Sequence, residues 1–267
     1  MVLARELPKG RYVKNKKVLI TAGASGIGKS VAEKFFKKGY YVWIVDIDKN
    51  ALNNCPQEWE KTLLDVSNDK QVKKLFFELK NNWGSLDVLC ANAGIKGPTK
   101  PVEQISLNEW SECISVNLDG IFLFSKYAAP IMKIQNFGSI IFTSSTVGLF
   151  GLANRSPYAA SKWAVNGLMK TLAVELGPYN IRVNTVCPGT VKGERLEKLV
   201  EEEVKYKGIS KEDIIQSYVD GTSMKKIIEA KDIANMIYFL STKKSRLVTG
   251  QIISVDGNTE TMDPKVK

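Results

Sequence analysis

The chain reads as an α/β protein built on a doubly wound parallel sheet, and three features predict this. Apolar runs of strand length alternate with amphipathic stretches of helix length from Val18 to Val255. A small-residue turn, Thr21-Ala22-Gly23-Ala24-Ser25-Gly26-Ile27-Gly28, joins the first apolar run to the first amphipathic stretch. The second apolar run ends on a carboxylate, Asp46. Parallel neighbours need crossover connections, so the alternation calls for about seven parallel strands with helices on both faces.

Val18–Thr21 is the first strand. Ser30–Lys38 follows with helical spacing, placing Val31, Ala32, Phe35 and Phe36 on one face. Tyr41–Val45 and the weaker Lys61–Leu64 are the next strands. Asn68–Trp83 is helical, with Val72, Leu75, Phe76 and Leu79 on one side, and Leu86–Ala91 is the fourth strand. One long helix is expected over Leu107–Lys133. Ser139–Thr143 is the fifth strand. A second long helix, Tyr158–Leu176, stops at the Gly177-Pro178 breaker. Ile181–Val186 is the sixth strand, Ala230–Leu240 a helix and Gln251–Val255 the seventh strand. Between them 191–226 is charged and irregular, a place for short helices. No linker or repeat divides residues 1–267, which read as one domain, with 1–15 and 261–267 as loosely held ends.

Composition narrows the function. The 267 residues carry 44% hydrophobic side chains, enough for one sizeable core. No apolar run approaches the roughly 20 residues that span a bilayer, and the N-terminus lacks an apolar signal core, so a soluble cytoplasmic protein with no membrane partner is expected. The four cysteines are too scattered for a zinc site or a disulfide framework. There is no histidine, so no metal site is expected and proton chemistry falls to Tyr, Lys, Cys or a shifted carboxylate. The net charge of +10 is spread among acids with no basic block, so nucleic acid is not an expected partner.

The turn after the first strand suits a pyrophosphate. Gly23, Ser25, Gly26, Ile27 and Gly28 keep the backbone accessible, and the free N–H groups of a helix's first turn bind an anion. Asp46 stands 18 residues beyond Gly28 and can accept hydrogen bonds from the adenosine ribose hydroxyls. It would repel a 2′-phosphate, and neither Ser25 nor Ile47 offers a cation to hold one, so NAD is favoured over NADP. Asp48 reads as a strand-end carboxylate or helix cap.

Tyr158-Ala159-Ala160-Ser161-Lys162 opens a predicted helix, and positions i and i+4 share a face. An ammonium beside a phenol favours the phenolate. A tyrosine of ordinary pKa about 10 is thereby brought toward the range of a working base.

Taken together, these segments resemble the short-chain dehydrogenase/reductase family from about Lys17 to Gly257. The turn resembles the family's T-G-x-x-x-G-x-G motif. Asp65-Val66 sits where the family places an Asp against adenine, and Asn92-Ala93-Gly94 resembles its N-A-G motif. Asn117, Ser145, Tyr158 and Lys162 match its catalytic tetrad, with Ser145 thirteen residues before Tyr158. Pro188-Gly189 resembles the family's P-G motif after the sixth strand, and with Val191 it would belong to the cofactor site. The resemblance implies a Rossmann-type fold and a homotetramer built on the two long helices. Tyr158 would be the acid/base, and Lys162 would depress its pKa and hold the nicotinamide ribose. Ser145 would polarise the carbonyl, and Asn117 would hold a water linking Lys162 to solvent. Ser144 and Ser161 read as structural. Ile121, Phe122, Phe124, Trp163, Leu168 and Met169 suit either a core or an interface. Three residues depart from the pattern: Ala22 in place of the first glycine, Gly193 in place of a Thr that meets the carboxamide, and Asn258 in place of a glycine.

The resemblance also makes residues of about 192–226 a lid over the substrate. Lys96, Arg155, Lys192 and Arg195 lie closest to the chemistry, and one or two of them would bind an anionic group on the substrate. Each alone reads as readily as a surface cation. The leading reading is an NAD-dependent dehydrogenase of a small polar secondary alcohol or ketone: a sugar, polyol or hydroxy acid. A second is a 3-oxoacyl-[acyl-carrier-protein] reductase. A third, of another class, is a non-catalytic NAD-binding regulator or scaffold.

Overall fold

In the computed structural model, which describes residues 16–261, the first apolar run forms β1 (Lys17–Thr21), with Val18, Leu19 and Ile20 fully buried. The chain continues through α1 (Gly26–Lys37), β2 (Tyr41–Asp46), α2 (Lys49–Asn53), β3 (Glu60–Leu63), α3 (Asp69–Asn82) and β4 (Val88–Ala91). Then come α4 (Leu107–Ile114), α5 (Gly120–Gln135), β5 (Gly138–Thr143), α6 (Ser156–Leu176) and β6 (Ile181–Pro188). Two helices of the expected lid, α7 (Glu194–Lys207) and α8 (Lys211–Asp220), precede α9 (Ala230–Ser241) and β7 (Ile252–Val255). The ends expected to be loose lie outside the described residues, apart from Thr261.

The seven strands form one sheet in the order β3-β2-β1-β4-β5-β6-β7, and every pairing is parallel. Strands buried on both faces need helices on both faces. On one side α3, α5 and α6 supply Leu75, Phe76, Phe124, Met132 and Met169 to a core against Leu19 and Val45. On the other, α1 and α9 supply Val31, Phe35, Ile237 and Leu240 against Val18 and Ile20. The strand order reverses between β1 and β4, and the crevice outside their carboxyl ends is where such sheets bind ligands.

Two expectations are refined. The long helix expected over Leu107–Lys133 is present and unbroken, but it carries a π turn, Ser115–Asp119, between its segments α4 and α5. A π turn adds one residue to the helical repeat and commonly marks a functional position. The 191–226 segment is more regular than its charge pattern suggested, with α7 running 14 residues. Its feet are pinned together: Lys192 N donates to Ile228 O at 2.8 Å and Ile228 N to Thr190 O at 3.0 Å. Between them Gly193, the N-cap of α7, has φ 147° and ψ −178°, a conformation that only glycine adopts without strain. That explains why the Thr expected by resemblance is absent.

Candidate active site

The end of β1 and the start of α1 form the first wall. Ser25 makes no side-chain cap, so the first-turn N–H groups of α1 are left to face an anion. Gly28 is forced by packing. A side-chain carbon there would lie 1.9 Å from the Ala22 carbonyl oxygen. Ala22 has φ 49°, the left-handed region that favours glycine, so its methyl group is carried at a cost in strain. Asn258 also has a left-handed φ, 61°, and Asn is among the few side chains that tolerate it.

Asp46 closes β2 and is nearly buried. Its Oδ2 accepts from Ala24 N at 3.0 Å and its Oδ1 from Asp48 N at 3.1 Å, which sets the carboxylate beside the turn. Asp48 caps α2, accepting from Asn50 N and Ala51 N. Asp65 makes a tight turn with Ser67, through its N–H at 2.9 Å and hydroxyl at 2.7 Å, and Val66 is buried beside it. Thr21 is a residue that sequence reasoning left unassigned. Its Oγ1 accepts from Asn92 N and Ala93 N, both at 2.9 Å, tying the β4 loop to β1. Asn92 Nδ2 donates to Thr21 O at 3.3 Å. Gly189, after β6, packs so close to Asp256 that a side-chain carbon would stand 2.7 Å from its Cβ. With these walls the cleft fits a dinucleotide: open N–H groups for phosphates and a carboxylate for ribose hydroxyls.

The second wall carries the tetrad positions, and all four are buried. Tyr158 and Lys162 lie one turn apart on α6, with Lys162 Nζ 5.7 Å from the centre of the phenol ring. Lys162 Nζ donates to Thr143 O at 3.0 Å, at the end of β5. Ser145 begins the short turn after β5, and its Oγ accepts from Val147 N at 3.2 Å. Asn117 sits in the π turn. Its Oδ1 accepts from Ile95 N at 2.7 Å, and its Nδ2 donates to Ile95 O and Ser161 Oγ, both at 3.0 Å. Ser161 in turn donates to Tyr158 O, and Ser144 to Lys162 O, so both serines have the structural part expected of them.

Burial pushes the Tyr158 phenol up, but Lys162, then Arg195, the adjacent Ser145 hydroxyl and Arg155 outweigh it and hold the phenol below its usual value. Burial also lowers the Lys162 ammonium, against the pull of Tyr158. The thiols nearby are pushed the other way: burial raises both Cys113 and Cys187.

The four candidate substrate cations separate. Arg155 is 6% exposed, and its Cζ lies 5.1 Å from the centre of the Tyr158 ring. Arg195 reaches the same ring from α7, at 5.8 Å. Lys96 instead pairs with Glu202 of α7. Lys192 is exposed and lines a different hollow, about 530 Å³, between α7 and α8 with Leu196, Val200, Ile215 and Val219. None of Tyr158, Ser145 or Arg155 lines that hollow, so it is not where the phenol acts.

A dinucleotide cleft at the sheet's switch point, with an activated phenol beside it, defines an oxidoreductase acting on CH–OH groups. The comparisons agree. The enoyl-(acyl carrier protein) reductase family model matches residues 21–258. A 3-oxoacyl-[acyl-carrier-protein] reductase from Thermotoga maritima is 35% identical over 92% of this chain and 98% of its own length. Among solved structures, NAD+-bound xylitol dehydrogenase is 26% identical with a TM-score of 0.87, covering 91% of this chain and 98% of the other. ElxO with NADP bound is 32% identical with a TM-score of 0.81, over 91% and 98%. The chain belongs to the short-chain dehydrogenase/reductase family. Its cofactor is a nicotinamide dinucleotide, and a non-catalytic scaffold is set aside. Among the described residues no helix is long and apolar enough to cross a membrane.

Proposed function

We propose that the protein is an NAD-dependent dehydrogenase of a small polar secondary alcohol, or reductase of the matching ketone, with Tyr158 as acid/base. The observation that carries this reading is the phenol held below its ordinary pKa by Lys162 one helical turn away. When bound, the dinucleotide supplies the hydride acceptor or donor. Tyr158 takes the alcohol proton in oxidation and returns it in reduction. Ser145 orients the oxygen and stabilises the charge that develops on it. Lys162, anchored on Thr143 O, keeps the phenol acidic. Asn117 fixes the loop at Ile95 that borders Lys162. NAD is favoured over NADP because the Asp46 carboxylate, held beside the turn by Ala24 N, would repel a 2′-phosphate.

The chain works as one domain in the cytoplasm, where its free, buried cysteines stay reduced. Residues 192–226 serve as the lid, with Gly193 at its hinge. Ile121, Phe124 and Met169 belong to the core, whereas Phe122 and Trp163 are exposed and suit a homotetramer interface on α5 and α6. Reduction of 3-oxoacyl groups on an acyl carrier protein is the second reading, favoured by the Thermotoga maritima relative and by the net charge of +10.

The test is an absorbance screen at 340 nm over sugars, polyols, hydroxy acids and a 3-oxoacyl thioester, with NAD and NADP arms, for the wild type and Tyr158→Phe. Turnover lost in Tyr158→Phe is expected. Turnover that survives the substitution overturns the reading.

A further inference from the structure

Arg155 is the charge that the tetrad does not account for. It precedes Tyr158 by three residues and lies at the N-terminus of α6, where a helix end already carries partial positive charge. Its Nη2 donates to Lys96 O at 2.9 Å, while its Nε is buried and has no acceptor among the described residues. A buried donor without a partner is costly, more so on a charged group.

Arg195, which is exposed, approaches the same phenol from the lid segment. It enters from α7, and its Nη1 donates to Gly94 O at 3.4 Å. Both guanidiniums therefore use the loop after β4 as a rest and turn toward one phenol. With Lys162 they make three cations around Tyr158. The groups that act most strongly on Tyr158, Lys162 and Arg155 include no carboxylate. Arg155 and Lys162 are buried beside the phenol, and the exposed Arg195 adds a third cation at the rim, so an incoming anion would relieve the repulsion.

We propose that the substrate is a short hydroxy acid, or the matching oxo acid, whose carboxylate is held between Arg155 and Arg195 while its hydroxyl meets Tyr158 and Ser145. The guanidinium fork matches a planar carboxylate, which it binds through two parallel hydrogen bonds. Both forks stand over the phenol ring itself, so the acid group lies one or two carbons from the reacting carbon: a 2- or 3-hydroxy acid. In oxidation the carbinol hydrogen leaves with its electron pair to the bound nicotinamide. The hydroxyl proton passes to the Tyr158 phenolate, the C–O bond becomes C=O, and the carboxylate is unchanged. The proposal rests on Tyr158 being the acid/base.

Two measurements test it and keep the two ideas apart. The first is kcat/KM for 2- and 3-hydroxy acids of three to five carbons against their amides and diols, in the wild type, Arg155→Gln, Arg155→Lys and Arg195→Gln. The acids are expected to be preferred. Either glutamine variant should lower the acid-to-neutral ratio roughly 10- to 100-fold, the range for a lost charged hydrogen bond, with Arg155→Lys intermediate. A ratio that the variants leave unmoved overturns the proposal. The second is calorimetric binding of butanoate, which cannot react, to the NADH complex. Affinity that weakens at least tenfold in Arg155→Gln supports the anion site without needing turnover. Diols oxidised through Tyr158 while butanoate fails to bind would sink the anion site and leave the acid/base reading. Butanoate bound through Arg155 with no Tyr158-dependent turnover would do the reverse.

Discussion

Lys162 and Tyr158 face each other across one turn of α6, ammonium to ring centre 5.7 Å, with the ammonium fixed on the Thr143 carbonyl. The phenol is thereby both buried and acidified, and its pKa lies below the ordinary value of a tyrosine. Oxidation needs the phenolate and reduction needs the phenol. So kcat/KM for oxidation should rise with pH and level off above a pKa below 10, while that for reduction should fall through the same pKa. No histidine is present, and burial raises the Cys113 and Cys187 thiols, so neither supplies a competing limb roughly between pH 6 and 8. Because Arg195 is the next strongest cation on the phenol, Arg195→Met should move both limbs to higher pH. A pH–rate profile of the variant that overlays the wild type removes Arg195 from the electrostatics of Tyr158.

The turn at Ala22 and Gly28 makes opposite demands. Ala22 holds a left-handed φ of 49°, so Ala22→Gly should stabilise the protein by about 0.5–1 kcal/mol. At Gly28 even one extra carbon meets the Ala22 carbonyl oxygen at 1.9 Å. Gly28→Ala must push α1 away from β1 and should cost about 2 kcal/mol or more, together with dinucleotide affinity. Urea unfolding curves of the two variants check both signs. An Ala22→Gly midpoint lower than the wild type contradicts the strain argument.

Asp46 accepts from the backbone N–H of Ala24 in the turn and from that of Asp48 just beyond its own strand. Removing its charge takes away both a ribose acceptor and the repulsion of a 2′-phosphate. Asp46→Ser should lower kcat/KM with NAD by about tenfold or more and raise the NADP-to-NAD ratio by at least as much. A wild type that already prefers NADP defeats the cofactor assignment outright.

How much of this was legible beforehand depends on the range over which the signal acts. Tyr158 and Lys162 could be paired from their spacing alone, because one helical turn brings i and i+4 together wherever the helix lies. The sheet could be read because buried strands and amphipathic helices carry different periods. The π turn at Asn117 could not. A single added residue in a helix leaves an apolar pattern almost unchanged, and what rewards it is a pair of hydrogen bonds to Ile95, 22 residues away. The fate of the cations was equally hidden. Lys96 and Arg155 look alike in sequence, yet the former meets Glu202, 106 residues on, while the latter is buried beside Tyr158. Gly193 and Asn258 looked like departures from a pattern, but positive φ angles explain both.

The Lys96–Glu202 pair joins the β4 loop to α7, and both side chains are over a third exposed. Exposed pairs contribute little to stability, about 1 kcal/mol at most, and salt screens them. Its effect should therefore appear in lid closure and not in unfolding. Glu202→Gln is expected to leave the melting temperature within about 1 °C and to raise KM a few-fold at low salt, a difference that fades by roughly 0.5 M salt. Equal KM values at low salt would mean that the pair does not hold the lid.

Asn117 is fully buried in the π turn, and its amide satisfies both backbone groups of Ile95 while accommodating Ser161. Leucine fills nearly the same space but offers neither donor nor acceptor. Asn117→Leu would leave the part-buried Ile95 N–H and C=O without these partners, at about 1 kcal/mol for each hydrogen bond lost. The loop from Gly94 to Lys96 would lose its anchor, and with it the carbonyls on which Arg195 and Arg155 rest. Activity should then fall by more than the stability loss explains: kcat drops well below the wild type even at a temperature where the variant is fully folded. Asn117→Asp tests the geometry separately, because it keeps one acceptor for Ile95 N and gives up the donors to Ile95 O and Ser161. It should lie between the wild type and Asn117→Leu in both melting temperature and kcat. If kcat in Asn117→Leu instead matches the wild type once the folded fraction is taken into account, the π turn serves stability alone, and the arginine rests must be held by something other than this amide.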